Sequence, residues 1–417
     1  MGQNFIWITN AFLIAIVIVA IFVLGSGICG GARNATMLIV GWAVQGMGSG
    51  EIIMIIASDI IVSDLVPLRQ RGNYMAVVLA IYGIGVSLGP FIGGAIVYST
   101  TWRWVFYLNL PIGGTSLVIL YLFLHVKYNK DMTFAQKLQR IDIVGNAILM
   151  IGTVAILYAL SITNPWPSCH KLVPLILGFL AILLFAVYEA SGLPTEPVMP
   201  SRLFTNRTSV IVSINTFLSS ALLFWVMFFL PVYFQAVALD SPRRTGVALL
   251  PYSFVGIPSA AISAMALSLW DKFRPLHFAG FALFAIFLGL FSLQWENTST
   301  AEWAIYQCIF ALGAGMVLNA LLPAFQAPAC EADQAAATAT WCFIRTFGYV
   351  WGVAIPAAIF NSRAAGLSGR ISDEGLGEQL VDGSVYQLAA AQYIEKYPLE
   401  VQGQIRAVYR EALQRVW

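Results

Sequence analysis

Long apolar segments alternate with short polar ones along most of the chain. A membrane-spanning helix needs about 20 apolar residues, because it rises 1.5 Å per residue across a hydrocarbon core of about 30 Å. This rule predicts eleven spans, at residues 5–29, 36–62, 73–98, 104–124, 142–163, 172–192, 208–238, 246–269, 276–294, 303–325 and 334–360. The pattern therefore predicts an all-α polytopic membrane protein with about eleven transmembrane helices.

The pattern changes after Phe360, where residues 361–417 become polar. From Leu399 onward, apolar side chains recur at helical spacing, at Val401, Ile405, Val408 and Leu413. This spacing predicts an exposed amphipathic helix outside the membrane.

Composition supports the membrane assignment. Of the 417 residues, 59% are hydrophobic and 10% are charged, and the mean hydropathy is +0.79. A soluble domain carries about 25% charged residues, because its surface must face water. The first apolar stretch lacks a basic leader and is long enough to span, so we interpret it as a retained helix and not a cleaved signal peptide.

Basic residues indicate the orientation. Loops after even-numbered spans contain ten Lys and Arg residues, whereas loops after odd-numbered spans contain five, with Arg243 and Arg244 as a local exception. The positive-inside rule then places the amino terminus and the even-span loops in the cytoplasm, and 361–417 on the other side. The sequons at Asn34 and Asn297 fall on the predicted outer side and are candidate glycosylation sites.

The sequence carries few signs of enzyme chemistry. No C-x-x-C pair, H-x-x-x-H spacing or ATP-binding motif is present, and the net charge is only +2. We therefore predict no enzyme activity, no metal, no cofactor and no nucleic-acid partner. A transport function would have to draw its energy from an ion gradient.

Four motifs in one order, followed by two more, carry a family resemblance. They are GWAVQGMGSG at 41–50, DLVPLRQRG at 64–72, GVSLGPFIGG at 85–94, WRWVFYLNLPIG at 102–113, LPVYFQ at 230–235 and FIRTFG at 343–348. Together they resemble fungal major facilitator transporters of the fourteen-helix drug:proton antiporter branch, the type that exports secondary metabolites or toxins. The resemblance extends over essentially the whole chain.

The resemblance implies a fold and a function. We expect a first transmembrane bundle at 1–126, a cytoplasmic loop with an extra helix pair at 127–204, a second bundle at 205–360 and an outer tail at 361–417. The expected activity is proton-coupled efflux of a small apolar compound, with the substrate, protons and the lipid bilayer as partners. The expected location is the plasma membrane, or a vacuolar or vesicular membrane. A degenerate, non-transporting paralogue or a membrane scaffold is the alternative, and a membrane enzyme is a weaker one.

Glycines in the third span suggest a helix contact. Gly85, Gly89 and Gly93 recur every four residues and share one face, while Pro90 removes a backbone donor and bends the helix. Such a face, continued by Gly94, allows close helix approach, either for passive packing or for movement between bundles. The adjoining cytoplasmic loop motif contributes Asp64, Arg69, Arg71 and Gly72.

Polar residues inside the spans are the candidates for coupling and binding. A charge at the position of Arg345 costs at least about 2.5–3.5 kcal/mol in lipid, so it should face the bundle interior or an aqueous path. Glu51, shielded from water, could carry a proton. Gln45 is a further coupling candidate, as is Trp42, which stands where the family has an arginine. The substrate-cavity candidates, each of which could equally join helices, are Asn215, Gln235, Asn319 and Gln326.

The chain also departs from the family pattern. Only one span precedes the Gly41–Gly50 motif, where the family has three. The sequence also stops at residue 417, where the family would enter its last helix. With Trp42 replacing a cation as well, we expect a chain truncated at both ends that exports poorly by proton coupling.

Overall fold

The computed structural model describes two compact helical units. The described residues are 4–49, 81, 84–85, 88–123, 142–162, 168–194, 197–270, 272–294, 298–330, 333–381 and 385–417. The units comprise Met1–Lys137 and Leu138–Trp417. No strand occurs in these described ranges.

The first unit is built from five described helices. They are α1 (Asn4–Gly30), α2 (Ala35–Gly48), α3 (Leu88–Ser99), α4 (Arg103–Tyr107) and α5 (Asn109–Phe123). Asn34 caps α2, because its side chain accepts a hydrogen bond from the Met37 amide at 2.8 Å. Arg103 donates to the Ala32 carbonyl at 2.8 Å and so ties the α1–α2 turn to α4.

Helices α1 and α2 pack with their backbones in close approach. A Cβ atom built at Gly25 would lie only 2.5 Å from the Gln45 Cα, and one built at Gly48 would lie 2.6 Å from the Phe22 Cα. Larger side chains at these positions would force the two helices apart. Small residues thus serve in this pair as they do in other membrane helix contacts.

The second unit contains the extra helix pair and the second bundle. Its helices up to residue 367 are α6 (Ile143–Ser161), α7 (Cys169–Ala190), α8 (Arg207–Val232), α9 (Pro242–Ala248), α10 (Leu250–Trp270), α11 (Arg274–Phe291), α12 (Thr300–Gln326) and α13 (Gln334–Leu367). A 3₁₀ turn, Ser201–Phe204, precedes α8, and a π-helix, Tyr233–Val237, follows it. The separate domain at 127–204 stays a prediction. In the structure, α6 and α7 belong to the same compact unit as the second bundle.

The predicted fold class is confirmed. In the described part of the chain, eight helices are long and apolar enough to cross a membrane. Three shorter apolar helices, Val17–Gly30, Ala35–Gly48 and Leu88–Ser99, accompany them. Every one of the eleven predicted spans overlaps one of these helices. Large apolar side chains such as Phe278, which is 82% exposed, cover the outside of the bundles, as contact with lipid requires.

The tail at 361–417 corrects two expectations. Helix α13 continues to Leu367 instead of ending at Phe360, because Phe360, Ala364 and Leu367 all remain buried beneath the tail. The tail then forms a 3₁₀ turn and four helices, Ser368–Arg370, α14 (Glu374–Val381), α15 (Val385–Leu388), α16 (Ala391–Ile394) and α17 (Leu399–Val416).

Helix α17 is amphipathic as predicted, but its apolar face is not exposed. Ile405, Val408 and Leu413 are each at most 2% exposed, because this face packs onto α13 and onto the π-helix. Arg406 donates to the Val237 carbonyl at 2.8 Å, and the Trp417 ring meets the Phe291 ring edge-on at 5.0 Å. The tail therefore lies at the same end of the unit as the turns after α8 and α11, as the predicted alternation of helices requires.

Candidate functional site

A buried arginine stands on α13 among aromatic rings. Arg345 is 8% exposed, and its Nε donates to the Tyr349 hydroxyl one turn further along the helix. Its guanidinium carbon lies 5.4 Å from the centre of the Trp341 ring, which is one turn back. Residues four apart share a helix face, so this spacing places the cation between the two rings. The predicted interior position of Arg345 agrees with this geometry.

Helix α8 supplies the next layer of the cluster. The Phe224 ring stacks on the Tyr349 ring with a centroid separation of 3.9 Å and an interplanar angle of 22°. Tyr349 is thus held from two sides, by Arg345 on its own helix and by Phe224 on α8. Sequence reasoning missed this partner, because no local pattern pairs α8 with α13.

Two glycines bring α8 and α13 into backbone contact at this level. A Cβ at Gly348 would lie 2.6 Å from the Phe217 carbonyl oxygen. A Cβ at Gly352 would lie 2.7 Å from the Ala221 carbonyl carbon. The spacing of four residues is the small-residue signature of close helix pairs. The Gly348–Gly352 pair was visible in the sequence and could have predicted this contact.

A small cavity adjoins Tyr349 inside the second unit. It holds about 10 Å³, room for about one water molecule, and its lining residues are Ser219, Ser220, Leu223, Phe284, Ala314, Val317, Leu318 and Tyr349. The walls are mainly aliphatic and aromatic, and polar groups come from two serines and one tyrosine. Ser219 donates to the Thr216 carbonyl at 3.1 Å. Such a surface suits an apolar group that bears few hydrogen-bonding atoms.

The four predicted substrate-cavity residues do not line this cavity. Asn215 is half-buried on α8, and Gln235 lies in the π-helix at the carboxyl end of that helix. Gln326 donates to the Thr338 hydroxyl at 2.8 Å and so joins α12 to α13. Asn319 belongs to α12, and its side chain lies outside the described residues. Their role in substrate binding stays a prediction.

The first unit holds a smaller polar cluster. Gln45 donates to the Ser26 hydroxyl at 2.9 Å, and Asn109 approaches the same oxygen at 3.5 Å. These contacts connect α2, α1 and α5. Trp42 is 57% exposed, and its ring meets the Phe106 ring edge-on at 6.2 Å. Gln45 thus joins α2 to α1 in the structure, and its role in coupling stays a prediction.

The glycine face of the third span is open in the described structure. No described atom lies within 4 Å of a Cβ built at Gly85, Gly89 or Gly93, and Pro90 and Gly94 continue the same helix. The described contacts therefore show no partner for this face, and its role stays a prediction.

The remaining candidates have mixed outcomes. Asn34 is exposed, as a glycosylation site must be, and it also caps α2. Six further candidates lie outside the described residues. They are Glu51, Asp64, Arg69, Arg71, Gly72 and Asn297. Among the described residues, no group of three His, Cys, Asp or Glu side chains could hold a metal ion.

Comparison with known proteins adds the family. The model of the Major Facilitator Superfamily matches residues 8–356. The MFS-type transporter TwmF of Talaromyces wortmannii is 54% identical over all of this chain and 80% of its own length. The MFS efflux transporter aclA of Aspergillus oryzae is 41% identical over all of this chain and 79% of its own length. The efflux pump FUS6 of Gibberella fujikuroi is 39% identical over 99% of this chain and 79% of its own length.

A solved structure shows the same fold. It is that of a bacterial homologue of the human lysosomal transporter Spinster, in an inward-facing and occupied conformation. The similarity has a TM-score of 0.51 at 16% sequence identity and extends over 97% of this chain and 77% of the other.

Proposed function

Since the chain belongs to the Major Facilitator Superfamily and is a multi-pass membrane transporter, not an enzyme, we propose that it exports a small, largely apolar compound in exchange for protons. A fungal secondary metabolite or toxin fits this description. The names of two relatives, an efflux transporter and an efflux pump, support the direction of transport. The plasma membrane is the proposed location.

The observation that carries this proposal is the buried Arg345 beside an apolar, aromatic cavity. A cation at this depth costs at least about 2.5–3.5 kcal/mol, so its retention needs a compensating role. Tyr349 joins the two features, because its hydroxyl accepts the hydrogen bond from Arg345 and its side chain also lines the cavity. A ligand that contacts Tyr349 would therefore affect the hydrogen bond between Tyr349 and Arg345.

The size of the cavity limits what it can hold. Drug-sized ligands occupy pockets of about 300–1,000 Å³, whereas this cavity holds about 10 Å³, room for about one water molecule. We infer that a substrate group reaches Tyr349 only in a conformation in which this cavity is wider. In the first unit, Glu51 stays the proposed proton carrier.

The test is transport by the purified protein in sealed proteoliposomes with an imposed pH gradient. A panel of labelled apolar aromatic compounds is offered, and their movement is compared with and without the gradient. We expect slow gradient-driven movement by the unmodified chain, because Trp42 stands where the family has a cation, and a further loss of about 10- to 100-fold in Arg345→Gln, which removes a charged hydrogen bond of about 1.5–3 kcal/mol. Arg363→Gln is the matched control, because Arg363 is an exposed arginine on the same helix.

Two results would contradict the proposal. Unchanged transport in Arg345→Gln, at normal insertion and stability, would show that the cation has only a structural role. Transport by the unmodified chain that ignores the gradient would exclude proton coupling. No movement of any compound would instead support the non-transporting alternative.

A further inference from the structure

Two buried carboxyl groups meet at one end of the α6–α7 pair. Asp142 directly precedes α6, and Glu189 lies in the last turn of α7. Asp142 is 9% exposed and Glu189 is 6% exposed. Their carboxyl groups lie within hydrogen-bonding reach of each other. Acidic side chains are almost never buried to this degree unless another group compensates their charge, so the contact has to be explained.

Asp142 has one oxygen with a hydrogen-bond donor and one without. Its Oδ1 accepts a hydrogen bond from the Gly145 amide at 2.8 Å and so caps α6. A Cβ built at Gly145 would lie 2.8 Å from the Asp142 Cγ, so the glycine leaves room for this cap. Its Oδ2 is buried and has no hydrogen-bond partner in the described part of the chain. A buried acceptor without a donor is costly, which indicates that a donor belongs at this oxygen.

Glu189 connects the segment after α7 back to that helix. Its Oε1 accepts a hydrogen bond from the Val198 amide at 3.2 Å, and its Oε2 accepts one from the Met199 amide at 3.0 Å. These two donors favour a carboxylate. The negative end of the helix dipole and the neighbouring Asp142 carboxylate both disfavour one. Glu189 is therefore held where a second buried negative charge would be costly.

No described basic side chain neutralises these two acids. The ion pairs found between described residues involve neither Asp142 nor Glu189. Tyr188 of α7 is the other titratable group beside Asp142, and α13 packs against α6 without adding an ion pair. A metal ion would need more ligands, and the described residues contain no group of three His, Cys, Asp or Glu side chains that could hold one. The ligand that fits two carboxyl groups in contact is a proton.

We propose that Asp142 and Glu189 form a proton-binding site, in which one proton is shared between Asp142 Oδ2 and the Glu189 carboxyl group. Two carboxylates in contact and away from water cannot both stay ionised. A single O–H group between them removes the repulsion and also supplies the donor that Oδ2 lacks. The proton belongs to the pair and not to one residue, because the two groups titrate together.

The shared proton joins three parts of the second unit. It links the start of α6 to the end of α7. Through the Val198 and Met199 amides it also fixes the segment that leads into the 3₁₀ turn Ser201–Phe204 before α8. The site thus holds the extra helix pair to the beginning of the second bundle. This inference requires neither transport activity nor a particular orientation of the chain in the membrane.

The test is infrared spectroscopy of the purified full chain in lipid nanodiscs at about pH 7, where separate Asp and Glu side chains with ordinary pKa values of about 3.9 and 4.3 are ionised. The carbonyl stretch of a protonated carboxyl group is separate from the bands of carboxylates. We expect Asp142→Asn and Glu189→Gln each to remove the band of one protonated carboxyl group. The double variant should remove no more than either single variant, because both residues share one proton. Each new amide group can donate to the remaining carboxylate, and Asn is a good helix cap, so the variants should fold.

The matched control is Asp333→Asn. Asp333 also directly precedes a helix, α13, but it pairs with Arg202 at 2.9 Å. Its pKa is lowered, first by a hydrogen bond from Cys330 and then by one from Arg202. Its replacement should therefore remove a carboxylate band and leave the protonated-carboxyl band unchanged.

Three results would overturn the proposal. One is a protonated-carboxyl band of full intensity in either single variant. Another is a double variant that loses the bands of two protonated carboxyl groups, because two separate protons would then be present. The third needs no variant, since the unmodified chain at about pH 7 would simply lack any protonated-carboxyl band. Transport is not measured here, so the outcome is independent of the test of proton-coupled export.

Discussion

A methyl group added at Gly352 tests the backbone contact that holds Tyr349 beside the cavity. The new Cβ would lie 2.7 Å from the Ala221 carbonyl carbon, and its oxygen would be nearer still. Carbon atoms in good contact are about 3.5–4.0 Å apart, so α8 and α13 must separate by about 1 Å. The same movement would loosen the stack of Phe224 on Tyr349.

The expected loss of stability follows from two opposing terms. Overpacking of this kind costs about 1–3 kcal/mol. Replacing glycine by alanine within a helix returns up to about 1 kcal/mol. Gly352→Ala should therefore lower the free energy of unfolding by up to about 2 kcal/mol, and transport should fall as Tyr349 shifts.

Gly366→Ala is the matched control for this prediction. It lies on the same helix, and no described atom lies within 4 Å of its Cβ position, so only the helix-propensity gain remains. Thermal unfolding of both variants in one detergent gives the comparison, with transport measured in parallel. Equal stability of the two variants would refute the reasoning, because the clash at Gly352 would then be absorbed without cost.

Two further predictions address the first unit and the orientation. Gly89→Leu should insert and fold normally, because no described atom lies within 4 Å of the added Cβ, yet it should abolish efflux if this face closes against another helix during transport. Efflux at the normal rate and expression level would make the face passive packing. Tags at residues 133 and 400 should differ in protease accessibility in sealed vesicles, because the positive-inside rule places them on opposite sides. Equal accessibility would contradict the topology.

The sequence was most informative where one physical requirement acts alone. The length of an apolar run is enough to identify a spanning helix, and each predicted span overlaps a helix of the structure. The helical spacing of Ile405, Val408 and Leu413 likewise predicted an amphipathic helix. It could not show what covers the apolar face, because that depends on contacts with α13 and the π-helix far away in the chain.

The candidate site was predictable only in part for the same reason. The cost of a buried charge pointed to Arg345 from the sequence alone. Phe224 and the serines of the cavity have no comparable signal, because any apolar or hydroxyl side chain on α8 fits a membrane helix equally well. The four-residue spacing of Gly348 and Gly352 was a further signal in the sequence. It indicates a close helix contact but does not identify the partner helix.

Helix α8 is held differently along its body and at its carboxyl end. Around Phe217 and Ala221 it meets α13 backbone to backbone, a contact that leaves no room for sliding. Nine residues beyond Phe224, or about 14 Å along the axis, the helix gives way to the π-helix at Tyr233. The turn beyond it is held by hydrogen bonds and one ion pair, and Leu239 carries backbone strain of about 1–2 kcal/mol. Rearrangement therefore costs less at the carboxyl end of α8 than along the body of the helix, where Arg345 and Tyr349 are held.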